Sequence, residues 1–161
     1  MRKIVKRVIF LGVGRLVFAS LASSAEDPYE LDVVGYDYTD RAIADFSVNG
    51  AAGGNLELST STDGGGIYSC CVLLRRSTKT PFFVDVEYRR DALESYPPRK
   101  VIEPAGQYIK VKVEVKGPIP SNPGYLEIHF YPDGHIEGAI SSQDGPSPPR
   151  LKLDRRFPYV R

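Results

Sequence analysis

Pro132-Asp133-Gly134 stands between two runs that alternate apolar and polar residues, and this segment, Tyr125 to Ser141, most narrows what the chain can fold into. Alternation at period two marks a strand with one buried face, and Pro-Asp-Gly at the junction supplies hairpin-turn chemistry. With Tyr131 and His135 flanking the turn, Leu126, Ile128 and Phe130 share a face with Ile136 and Ile140. Glu127, His129, Tyr131, His135 and Glu137 fall on the other. A one-residue slip would expose the whole apolar set, so the register is expected to be strongly fixed.

The same period recurs upstream. Phe82, Val84, Val86 and Tyr88 alternate with Phe83, Asp85, Glu87 and Arg89, and Ile109, Val111, Val113 and Val115 alternate with Lys110, Lys112, Glu114 and Lys116. Leu31 to Asp40 and Ala42 to Val48 also read as strands, the second ending at the Asn49-Gly50 turn, and the two are expected to pair with each other. Leu56, Leu58, Ile67, Cys71 and Leu73 suggest further strands around the glycine-rich stretches 51–55 and 63–66. No internal repeat is present. Short strands with turn signals between them predict an all-β fold: a single small antiparallel β-sandwich or open barrel of about seven or eight strands.

Ahead of this domain, Met1 to Arg7 carries four basic residues, Val8 to Ala22 is mostly apolar though interrupted by Arg15, and Ser23-Ser24-Ala25 precedes acidic Glu26-Asp27. That order is a secretory signal, and the stretch is too short and interrupted for a spanning helix of about 20 apolar residues. The expected organisation is a signal peptide at 1–25, an all-β domain at 26–142 and a Pro-rich, then basic, loosely held tail at 143–161. Cleavage after Ala25 would lower Lys and Arg from 21 to 16 against 20 Asp and Glu, a net of about −4. A mildly acidic domain has no long-range attraction for phosphate backbones, which argues against nucleic acid as a partner.

Chemistry-bearing motifs are sparse. Cys70-Cys71 are the only cysteines and adjacent, which leaves a vicinal disulfide, two structural thiols, or pairing with another chain. His129, Asp133, His135 and Glu137 form the single His/acid cluster. A His129–Glu137 pair across the hairpin is an ordinary contact and Asp133 is accounted for by the turn, so no metal is assigned. Gly64-Gly65-Gly66 lacks the Lys and Ser/Thr of a phosphate loop, and no nucleophile motif is framed anywhere. No catalytic residue and no cofactor is expected.

Taken in order, Gly35-Tyr36-Asp37-Tyr38-Thr39-Asp40-Arg41, Phe46-Ser47-Val48-Asn49-Gly50, Gly53-Gly54-Asn55, Gly64-Gly65-Gly66 and Cys70-Cys71-Val72 resemble family 3304 of the bacterial domains of unknown function. Val84 to Tyr88 and Ile128-His129-Phe130-Tyr131-Pro132-Asp133-Gly134 continue the likeness, which spans roughly Val34 to Ile140. The resemblance implies a small envelope protein encoded beside a type VI secretion effector, often a phospholipase, with an immunity or accessory role. This sequence has no cysteine at the signal cleavage site, which implies a soluble periplasmic protein rather than a lipid-anchored one. The expectation is a non-enzymatic periplasmic binding protein that neutralises such an effector; the alternative is a structural or accessory protein of the cell envelope. Tyr36, Tyr38 and Arg41 are its candidate anchors, since Tyr and Arg dominate interface hot spots, although strand packing would equally account for the tyrosines.

Overall fold

A computed structural model describes residues 26–95 and 98–153; the expected signal peptide and the last eight residues lie outside the described residues. These form β1 (Tyr29–Asp37), β2 (Ile43–Val48), β3 (Ala51–Leu56), β4 (Ser69–Leu74), β5 (Phe82–Arg90), β6 (Leu93–Ser95), β7 (Lys100–Glu103), β8 (Ile109–Val115), β9 (Pro123–Phe130) and β10 (Ile136–Ser142). No helix occurs among them.

Eight strands make one sheet in the order β3-β2-β5-β8-β10-β9-β1-β4, and β6 and β7 form a separate hairpin. The sheet curls until its end strands approach one another, and single bridges from Leu56 to Gly66 and from Tyr36 to Gly65 lie across the seam. It is a nearly closed barrel. Its interior is filled by alternate residues, among them Val33, Phe46, Leu56, Val86, Val115 and Ile128. The β5–β8 ladder illustrates the logic: Val84 faces Val113 and Val86 faces Val111 toward the interior, while Asp85 faces Lys112 and Glu87 faces Lys110 outside. Opposite charges thus meet across the strands where water screens them.

The β9–β10 hairpin has the expected register, with Ile136 opposite Phe130, Glu137 opposite His129 and Gly138 opposite Ile128. Asn49 and Gly50, both at positive φ, turn β2 into β3. Two expectations change. β1 and β2 do not pair; β1 lies between β4 and β9, and β2 between β3 and β5. Nor is the sheet wholly antiparallel, because β1 runs parallel to β9 and β10 makes a parallel bridge to β8. The neighbour of β1 is therefore a strand some ninety residues later, positioned by barrel closure rather than by a turn.

Candidate functional site

Parallel pairing sets Tyr36 beside His129 and Val34 beside Glu127. Because side chains alternate, Val34, Tyr36 and Tyr38 on and just after β1 share the outer face of the barrel with Tyr125, Glu127, His129 and Tyr131. The rings of Tyr36 and His129 stack at 4.4 Å with an interplanar angle of 11°. Tyr38 and Tyr131 approach at 5.2 Å. An outer face of this kind would ordinarily be wet, yet Glu127 and His129 are both 0 % exposed and Tyr36 and Tyr38 are buried.

The cover is residues 146–153, the early part of the expected loose tail. Pro146, Pro148 and Pro149 fix their own φ and bias Ser147 and Pro148 toward extended backbone, so the segment crosses the strands as a strap. Leu151 and Leu153 pack against the tyrosines. The Tyr36 hydroxyl donates to the Ser147 carbonyl. The Ser147 N–H donates to Glu127 Oε1 at 2.6 Å, and the Arg150 N–H donates to the Tyr38 hydroxyl at 2.8 Å. The Arg150 guanidinium reaches Glu137 Oε2 at 2.7 Å and the Tyr131 hydroxyl at 3.3 Å. The solvent face expected for the hairpin is thus a second, polar core.

Within it, burial pushes the Glu127 carboxyl up, but hydrogen bonds from His129 and the Ser147 backbone outweigh that and bring it to about 2. It is a carboxylate at neutral pH. Burial holds His129 below the ordinary imidazole range against the opposing pull of Glu127, so the ring is neutral. Its Nε2–H then donates to Glu127 Oε2 at 3.2 Å, and Nδ1 accepts from the Tyr38 hydroxyl at 3.1 Å. Burial also raises both Tyr36 and Tyr38, keeping the hydroxyls protonated as this network requires. Sealed from water, the carboxylate and imidazole brace the strap.

Of the sequence-nominated anchors, Tyr36 and Tyr38 enter this cluster and Arg41 does not. Arg41 is buried after β1, and its guanidinium pairs with Glu103 of β7, tying the small hairpin to the barrel. None of the three is an exposed contact residue. Cys70 and Cys71 form a vicinal disulfide at the start of β4, in a surface hollow shared with Glu30, Asp32, Tyr125 and Gln143. The His/acid cluster divides: His129 pairs with Glu127, whereas exposed His135 pairs with Asp133 and stacks on Tyr131 at 4.1 Å. Glu127, Ser147 and Arg150 were missed, and the only sequence signal for them was that β1 carries large apolar residues on both faces.

Beside the strap runs an open groove of about 350 Å³, lined by Tyr36, Asp63, Gly64, Tyr68, Pro146 and Pro149 among others.

A family model described as "Protein of unknown function (DUF3304)" matches residues 36–137. The chain belongs to this family. The DUF3304 match takes in Tyr36, Tyr38, Glu127, His129 and Glu137 and ends before the strap. No curated protein and no solved structure matches the chain.

Proposed function

We propose that this protein is a non-enzymatic binding protein of the bacterial periplasm, an immunity protein that neutralises a type VI secretion effector such as a phospholipase by covering part of its surface. The observation that carries the reading is a set of large apolar side chains left in water on and around the edge strand β4. Ile67 and Tyr68 precede β4 and Leu73 lies on it, each more than 60 % exposed, and Phe83 shares a hollow with Leu73 at the barrel end. Large apolar side chains left in water along one edge strand suit an interaction surface. Tyr68 is held ready by its contact with Tyr125 at 5.6 Å, so little side-chain freedom is lost on binding. The family membership supports an envelope setting through the resemblance described above. Among the described residues no helix is long and apolar enough to cross a membrane.

The test mixes the purified protein with the effector encoded beside it. Saturable one-to-one binding is expected, and Tyr68→Asp or Leu73→Asp should weaken it roughly thirtyfold, as loss of a 2 kcal/mol hot-spot residue does, with melting unchanged. Cells lacking the gene and any copies should die when challenged by kin carrying that effector. Undiminished survival together with no binding would overturn the immunity reading and favour a structural or accessory envelope role.

A further inference from the structure

The strap is seated on the barrel in an unusual way. β9 already has β1 on one edge and β10 on the other, so the strap crosses the face of the sheet and belongs to none of its ladders. Its recognised contacts are made by side chains of the platform. A tyrosine hydroxyl donates to a carbonyl between prolines (Tyr36 to Ser147), a second accepts a backbone N–H (Tyr38 from Arg150), and an acidic residue takes the arginine (Glu137). Clustered aromatic rings with hydroxyls at their rims, flanked by a carboxylate that selects a basic residue, are the elements by which folded domains recognise extended proline-rich segments. A rigid proline-rich chain suits such a face because little backbone entropy remains to be lost on docking.

We infer that the outer face of β1 and β9 is a receptor for extended Pro-Pro-Arg segments, occupied by the chain's own residues 146–153 and open to a partner protein's segment of the same chemistry. One further observation favours exchange over a permanent seal. The groove along the proline side of the strap, which Tyr68 also lines, gives an incoming chain room to engage before the strap leaves. Displacement breaks side-chain contacts alone and leaves every ladder of the barrel paired. The inference deepens the binding reading by naming a partner chemistry, yet stands without the type VI effector.

The test uses the full chain and a synthetic peptide of residues 145–153, Gly-Pro-Ser-Pro-Pro-Arg-Leu-Lys-Leu, with a fluorescent label. The tethered strap competes at an effective concentration of roughly millimolar, so the wild-type protein should bind the peptide weakly. Loosening the strap with Pro148→Gly and Arg150→Ala should tighten peptide binding about tenfold or more, because the open platform becomes the major state. Replacing the peptide's arginine by alanine should weaken binding to that variant and make no difference once Glu137→Gln is added, a coupling that a merely structural strap would not produce. Equal affinity for the wild-type and loosened proteins, or indifference to the peptide's arginine, would overturn the inference. Should the double variant fail to fold, Arg150→Ala alone takes its place. A photo-crosslinking version of the peptide, at millimolar concentration with the wild-type protein, should label β1 or β9. Absence of such labelling would also overturn it, as would concentration-dependent dimers without peptide binding, which would mean that the strap exchanges only between copies. Peptide binding without effector binding would sink the immunity reading and leave this one intact.

Discussion

Glu127 and His129 stand two residues apart on one strand face with no access to water, and their protonation is part of what holds the strap down. Both have folded-state pKa values below their ordinary ones, Glu127 at about 2 against 4.5 and His129 below 6.5. A depressed value contributes stability above the unfolded pKa and loses it as pH falls toward the folded one. Stability should therefore fall in two stages, through His129 below pH 6.5 and through Glu127 below pH 4.5. His129→Gln should be less stable than wild type at pH 7.5 but lose less melting temperature on going to pH 5. Parallel curves for the two proteins would show that the imidazole titrates alike folded and unfolded. The cysteines allow a second measurement at this scale. With the vicinal disulfide formed, intact mass should rise by about 2 Da on reduction from the covalent change alone. Equal masses with and without reductant would mean two free thiols.

At the scale of single elements, the β9–β10 hairpin invites the sharpest comparison. Ile128 is wholly buried inside the barrel, whereas Lys112 on β8 points into solvent opposite Asp85. Ile128→Lys places an unpaired charge in the interior and should cost about 3 kcal/mol or more; Lys112→Glu sets a like charge against Asp85 and should cost under about 1 kcal/mol. Similar melting losses would show the two faces to be misassigned. This hairpin was legible in the sequence because alternation and a tight turn are both local. The neighbours of β1 were not, since period two tells which side of a strand is buried but not which strand lies alongside. Val33, Val34, Tyr36 and Tyr38 make β1 apolar on both faces, and that pattern demands a second layer without naming it. The layer is the Pro146–Leu153 strap, which read as a tail because prolines signal irregular backbone. Its docking depends on tyrosines more than one hundred residues away. Cys70-Cys71 stayed open for a related reason: adjacency restricts the options, but the backbone decides among them.

For the molecule as a whole, the seam between β3 and β4 decides whether the sheet is a barrel or an open, edge-exposed sheet. No continuous ladder joins these strands; the connection is the glycine loop. Gly65 accepts a hydrogen bond from the Glu57 N–H at 2.8 Å and bridges to Tyr36, and Gly66 bridges to Leu56. Gly65 has φ +89°, and a Cβ there would overlap the Glu57 carbonyl, a backbone group that cannot swing aside. Gly134, in the hairpin turn, has nearly the same φ of +86° but open space around it. The pair separates conformational strain from closure. Gly134→Ala should cost about 1–2 kcal/mol from the left-handed conformation alone, whereas Gly65→Ala adds the clash and should cost about 3 kcal/mol or more. The loss at Gly65 should also have a particular form. With the seam sprung, Leu56 and Tyr36 lose their cover, so amide exchange should quicken at residues 57–66 and along β1, while the β5–β8 ladder on the far side stays protected. Equal costs at the two glycines, with exchange unchanged across the seam, would mean that the barrel is held shut by its interior packing and that the loop merely lies over a closed wall.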